Sequence, residues 1–302
     1  MEVGKKAPNV IQLSERIGKQ ERKKRGFKKM LHKPRTRVIA ITSGKGGVGK
    51  TNIVANLGYT LSRLGKRVLI LDGDLGLGNL DVLLGLTPSY NISHFISGQK
   101  NIAEIVKPGP ANLSILPASS GVQELTRLSK EQQASIMKEL DMYINSYDFM
   151  LMDTAAGISS NVMHFNISAQ EIMVIVQPEP ASITDAYALM KVMAMKYGEK
   201  HFKLIVNTAS GQNEAEEVHR QLSLVADRFL NITIDYFGYL PHDPNILKGI
   251  RHQKLVSEMF PGSEASRQFG QLAKKMISTV LYKCPDKDTN FFWNHLNLET
   301  QE

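Results

Sequence analysis

SGKGGVGKT (residues 43–51) decides most of what this chain can be. Gly44, Gly49, Lys50 and Thr51 fit the pattern G-x-x-x-x-G-K-[ST]. The run before it, RVIAIT (37–42), is apolar and β-branched, as a buried strand should be. The run after it, TNIVANLGYTLSRLG (51–65), sets Ile53, Val54, Leu57, Leu61 and Leu64 at helical spacing. Strand, glycine loop and helix are the setting in which this pattern holds phosphates. The glycines let backbone N–H groups turn inward without Cβ clashes. The helix N-terminus adds its partial positive charge beneath the anion. Lys50 is expected to reach the β/γ-phosphates, and Thr51 to give its hydroxyl to Mg²⁺. The bland alternative, a glycine turn with two solvated lysines, fits the flanking strand and helix poorly.

Composition narrows the classes. The 302 residues are 42% hydrophobic, enough for one large α/β domain with tails. No run has the apolar length of a transmembrane helix, and the N-terminus lacks a signal-peptide core, so a cytoplasmic protein is expected. Cys284 is the single cysteine, which excludes an internal disulfide framework and a cysteine-built metal cluster. The net charge of +8 is unevenly spread. Residues 1–37 hold 13 Lys/Arg against 3 Asp/Glu, whereas the rest holds 24 against 26. The basicity therefore belongs to an arm and not to the body.

Beyond residue 37 the pattern alternates. RVLILD (67–72), NLSILPA (112–118), FMLMDT (149–154), EIMVIVQP (171–178), KLIVNTA (203–209) and IDYFGYLP (234–241) read as strands. Most are unbroken apolar runs, as expected when both faces of a sheet are covered. Helical periods occupy 129–146, 181–197, 213–230 and 263–282. The alternation predicts an α/β fold: a mostly parallel sheet with helices on both faces. The expected organisation is a basic tail (1–36), one ATPase-type domain (37–283) and a C-terminal tail (284–302).

Two further segments carry chemistry. LDGDLGLGNLD (71–81) puts Asp72 and Asp74 at the C-terminal end of a strand, where open α/β sheets bind ligands. DTAAG (153–157) ends another apolar strand. Downstream of a phosphate loop it reads as the Walker B and switch II segment. Asp153 is expected to hold Mg²⁺ through a water, and Gly157 to let the backbone approach the γ-phosphate.

The loop has a second lysine, Lys45, and KGGVGKT is the deviant Walker A form. Here the chain resembles the MinD/ParA class of P-loop ATPases, over about residues 37–282. The resemblance implies an ATP-dependent homodimer in which Lys45 reaches across to the partner's nucleotide. It implies a MinD-like P-loop NTPase fold, ATP/ADP and Mg²⁺ as cofactors, and slow hydrolysis adjusted by partners. By the same resemblance Gly44, Lys45, Gly46, Gly47, Val48, Gly49, Lys50, Thr51, Asn52 and Asp72 bind nucleotide. Asp74 positions the attacking water, acting with Lys45 and Lys50, while Thr51 and Asp153 serve the metal. Asn207, ending LIVN (204–207), and Pro241 and Asp243, in YLPHDPNI (239–246), match the adenine site. The guanine-reading N-K-x-D pattern is absent, which favours ATP over GTP.

Within the class, LDGDLGLGNLDVLLGL, DTAAGIS and QPEPASITDAYALMK resemble the flagellar-number regulators of the FlhG (FleN) group. That implies a protein peripheral to the inner membrane near a cell pole, acting with the signal-recognition-type GTPase FlhF. Flagellar transcription activators or switch/C-ring components would be further partners. The tails depart from the group. Its N-terminal D-Q-A-x-x-L-R motif survives only as VIQLSER (10–16), with Gln12 the nearest trace. Residues 9–20 could form a short amphipathic helix through Val10, Leu13 and Ile17, or a solvated tail. Phe291, Phe292, Trp293, Leu296 and Leu298 suit an anionic membrane interface, or equally a place on the body. A ParA-like DNA-partition ATPase is the alternative, supported by the basic arm. A bacterial tyrosine-kinase domain is excluded, since Tyr282 is the only tyrosine in the last 40 residues.

Overall fold

The apolar run before the glycine loop forms the central strand of the molecule. β1 (Arg37–Thr42) lies between β5 (Phe149–Thr154) and β6 (Glu171–Val176), parallel to both. In this computed structural model, residues 36–74, 78–118 and 129–279 are described. The expected N-terminal helix, Leu75–Leu77 and the C-terminal aromatics lie outside them.

The remaining strands are β2 (Val68–Gly73), β3 (Lys107–Pro108), β4 (Ser114–Leu116), β7 (His201–Ala209) and β8 (Thr233–Pro241). The eight form one sheet in the order β3-β4-β2-β5-β1-β6-β7-β8. All neighbours run parallel except β3 and β4. Parallel strands send their C-terminal ends to one edge, so every loop that follows a strand gathers there.

Helices cover both faces. α1 (Lys50–Arg63) follows β1. Three short helices then lead to the edge: α2 (Leu80–Leu83), α3 (Ile92–Ile96) and α4 (Ile102–Ile105). α5 (Lys130–Tyr143) precedes β5, α6 (Ser160–Ile167) precedes β6, and α7 (Pro180–Tyr197) precedes β7. α8 (Gln212–Leu230) joins β7 to β8, and α9 (Pro244–Arg251), α10 (Val256–Met259) and α11 (Glu264–Ser278) close the described chain.

The unbroken strands are read by alternation. Ile39 and Ile41 pack with Leu57 and Leu61 of α1 and Phe269 of α11. Val38 and Ala40 face the other way, with Ile136 and Leu140 of α5. Both sides of β1 are thus dry, which is why the run shows no polar period. At the bottom edge Arg37 grips Glu171 with two nitrogens, and Lys203 meets the same carboxylate. Arg37 also donates to the carbonyls of Met276 and Thr279, fastening β1 to the end of α11.

The long elements match the expected runs with trimmed ends. The run expected to be helical to residue 282 is helical to Ser278 and extended at Thr279, where description stops. The run expected as a strand over 112–118 is one only at Ser114–Leu116, since a 3₁₀ turn occupies Pro110–Asn112.

Candidate active site

The phosphate loop is built by backbone freedom at two positions. Gly47 and Gly49 have φ of 78° and 88°, the left-handed region that a side chain disfavours. Gly49 is also the N-cap of α1, so the loop delivers its N–H groups to a helix start. Gly46 and Gly47 are exposed, and a Cβ built on either meets nothing within 4 Å, so the cradle opens outward. Gly44 is a glycine for a different reason. A Cβ there would lie 2.1 Å from the backbone oxygen of Asp185 on α7. The root of the loop presses directly on that helix.

Below the loop sits a charged pair. Lys50 Nζ donates to Asp153 Oδ1 at 2.6 Å, and the two side chains are 9% and 1% exposed. Asp72 is the cross-strand partner of Asp153 in the β2–β5 register. Its carboxylate accepts from the N–H groups of Asp74 at 3.2 Å and Leu80 at 3.4 Å. Burial, helped by the Asp153 charge, still pushes the Asp72 carboxyl up to about 8 against these hydrogen bonds. Two buried carboxylates, Asp72 and Asp153, thus stand with one ammonium, Lys50. Among the described residues no group of three or more His, Cys, Asp or Glu could hold a metal by itself. Magnesium typically takes one or two carboxylates and the substrate's phosphates. Thr51, at the start of α1, and Asp153, at the end of β5, are the residues that would serve it.

The raised Asp72 value gives a pH prediction. Between about 4 and about 8 the folded state holds a proton that the unfolded chain releases. Stability is therefore greatest at low pH in this window and falls as pH rises, by up to about 1.4 kcal/mol per pH unit. Without nucleotide, thermal stability should fall from pH 5 to pH 8. Asp72→Asn should flatten that slope, and an unchanged slope in the variant would remove Asp72 as its cause.

Two relatives are similar to this chain over most of their length. The antiactivator FleN of Pseudomonas aeruginosa is 41% identical over 259 residues, 86% of this chain and 92% of that one. The flagellum site-determining protein YlxH of Helicobacter pylori is 32% identical over 250 residues, 82% and 84% of the two chains. A family model described as an AAA domain matches residues 36–204. The solved septum site-determining protein MinD of Pyrococcus horikoshii, complexed with Mg-ADP, superposes with a TM-score of 0.69. It is 26% identical, covering 80% of this chain and 96% of that one.

The chain belongs to the MinD/ParA family of P-loop ATPases. It has the mostly parallel, helix-covered sheet expected of a MinD-like fold. The structure brings together at one edge Gly44–Asn52, Asp72, Asp74, Asp153, Asn207 and Pro241, all at or just after strand ends.

Several residues of this MinD/ParA chain have settings that local sequence did not announce. Lys45 pairs with Glu179 of its own chain, the N-cap of α7, with both side chains substantially exposed. Asn207, expected at adenine, donates Nδ2 to the Val48 carbonyl at 2.7 Å and so braces the phosphate loop. An amide has a second N–H and an oxygen, so this bond still leaves it atoms with which to meet a base. Thr208, the next residue, sits at φ 57°, and the β7–β8 register shifts between Val206 and Ala209. That irregularity lies directly beside Asn207. Asp243, also expected at adenine, has backbone partners. Its Oδ1 accepts from Asn245 N–H at 2.9 Å, capping α9, and its Oδ2 from Ala265 N–H at 3.1 Å. Burial pushes its carboxyl up, but those hydrogen bonds outweigh it and hold the pKa below the usual value. Asp243 shapes the loop that follows Pro241, with both oxygens engaged by backbone. The signal was present, since Asp before Pro is a helix-start pair.

Proposed function

We propose that this ATPase is a nucleotide-controlled switch that limits the number or placement of flagella. The observation that carries the reading is a complete deviant phosphate loop in a chain 41% identical to an antiactivator named FleN. In the cycle we infer, the loop N–H groups and Lys50 hold the phosphates of ATP, and Asn207 and the Pro241 loop take the adenine. Bound magnesium supplies neutralisation of phosphate charge. Lys50 exchanges Asp153 for phosphate, and the freed carboxylate, with Thr51, would hold the magnesium. Asp74 orients the attacking water, because phosphoryl transfer needs positioning more than covalent chemistry.

Dimerisation follows from Lys45. Its ion pair with Glu179 is exposed, and such pairs are worth about 0–1 kcal/mol. The lysine is therefore parked at little cost and can leave to meet a second copy's nucleotide. Lys45→Ala should bind ATP within about threefold of wild type yet lose ATP-dependent dimerisation. Sedimentation with ATP and with ADP checks this, and an unchanged ATP-driven dimer would confine Lys45 to its own chain.

The ATP-bound dimer would act at an anionic membrane surface with the GTPase FlhF and with flagellar activators or switch/C-ring components. No helix among the described residues is long and apolar enough to cross a membrane. The contact we propose is the aromatic and leucine side chains of residues 289–302. Flotation of ATP-loaded protein on anionic vesicles, lost on deleting 289–302, supports this. Flagellum counts in cells lacking the protein test the output, and unaltered counts would remove the flagellar reading. ATP-dependent DNA retention falling steeply with salt would favour the partition-type alternative, through the basic arm.

A further inference from the structure

Switch II is tied to the root of the phosphate loop by successive rungs. Thr154 Oγ1 donates to the Ile41 carbonyl at 3.2 Å. Asn166 Nδ2 donates to Thr42 Oγ1 at 3.0 Å. Gly157 N–H donates to the Ser43 carbonyl at 3.0 Å. The acceptors are consecutive residues, where β1 becomes the loop. The donors run from the end of β5, through the Gly157 turn, to the last turn of α6.

The rungs differ in access. Gly157 is partly exposed, and Ile158, Ser159 and Ser160 beyond it are exposed. Its N–H can exchange the Ser43 carbonyl for a phosphate oxygen. Thr42 and Asn166 are both 0% exposed. Their bond is dry and has no solvent competitor, so it stays made while the outer rung opens.

Asn166 carries a second mark. Its Oδ1 is buried with no hydrogen-bond partner among the described residues. Rotating the amide by half a turn changes which atom is orphaned but not the number. An orphaned buried polar atom is destabilising. Val162, Met163, Phe165 and Ile167 on the same helix are buried and apolar. A leucine at 166 together with a valine at 42 would suit that surrounding and leave no orphan. Stability alone gives no reason for an amide here.

We propose that Asn166 is a positioning residue for ATP hydrolysis. Through Thr42 it pins α6 to the root of the phosphate loop. Gly157 and the Asp153 end of β5 then keep their place when the Gly157–Ser43 rung opens. Asn166 touches no reacting atom and acts through α6. The inference rests on the phosphate loop's hydrolysing ATP, as set out above.

The test measures kcat, KM for ATP and melting temperature in the full chain with magnesium. Thr42→Ser keeps the hydroxyl and should stay within about twofold of wild-type kcat, whereas the isosteric Thr42→Val lacks it. Thr42→Val and Asn166→Leu should lose roughly tenfold to a hundredfold in kcat. KM should stay within about threefold, because the loss is in positioning and not in ground-state binding. The double variant Thr42→Val/Asn166→Leu removes both polar partners, so it should melt near wild type. Its kcat should be no lower than that of the singles, because they break the same bond. If a single variant fails to fold, the double carries the test. Thr42→Val with the kcat of Thr42→Ser, or a folded double variant with wild-type kcat, would overturn the proposal. Wild-type protein that neither binds nor hydrolyses ATP would overturn the ATPase reading, which is a separate result.

Discussion

Lys50→Ala should abolish ATP turnover and lower folding stability by about 3–5 kcal/mol. Both losses have one cause. Lys50 is the cation for Asp153, whose side chain is 1% exposed at 2.6 Å from the ammonium. Removing the lysine strands that carboxylate beside Asp72, which is already pushed up to about 8 by burial and by this neighbour. A second variant separates the two effects. Adding Asp153→Asn to Lys50→Ala should recover much of the stability and none of the turnover. Denaturant unfolding and phosphate release measure the two quantities. Normal ATP affinity and turnover in Lys50→Ala would mean that the loop is not the phosphate site.

Asp74→Ala should act on the chemical step alone. Asp74 stands past the end of β2, partly buried, its N–H bonded to Asp72 Oδ1 at 3.2 Å. Loss of a group that orients the attacking water typically costs about 10²–10⁴-fold in rate. ATP should still bind, because the loop, Lys50 and Thr51 are untouched. The variant should therefore accumulate as an ATP-loaded dimer, visible by sedimentation, with single-turnover hydrolysis nearly absent. Wild-type turnover would take Asp74 out of catalysis.

What could be read from sequence was whatever is local. The strand–loop–helix unit, the carboxylates at strand ends and the unbroken apolar strands each occupy a few consecutive residues. What could not be read depends on contacts between distant positions. Val48 and Asn207 are 159 residues apart, and Lys45 and Glu179 are 134 apart. No spacing rule links them. Gly44 looks like any loop glycine until the backbone of Asp185 is seen against it. Short elements were also silent. β3 has two residues and α2 has four, too few for a period to show. α6 escaped for another reason. Much of NVMHFNI is buried, including Asn166, so the helix lacks the polar stripe that reveals a surface helix.

The phosphate loop is unequally supported on its two sides. Toward α7 and the end of β7 it has no clearance, because a Cβ at Gly44 would overlap the Asp185 backbone and the Val48 carbonyl is held by Asn207. Toward switch II the outermost tie is one hydrogen bond from a glycine at φ 93°. The arrangement is that of a vice with one fixed jaw and one sliding jaw. In the proposed cycle a γ-phosphate arriving between them would leave the α7 side in place. The displacement would go to the Gly157 side, so the sliding jaw would be where the held nucleotide is signalled.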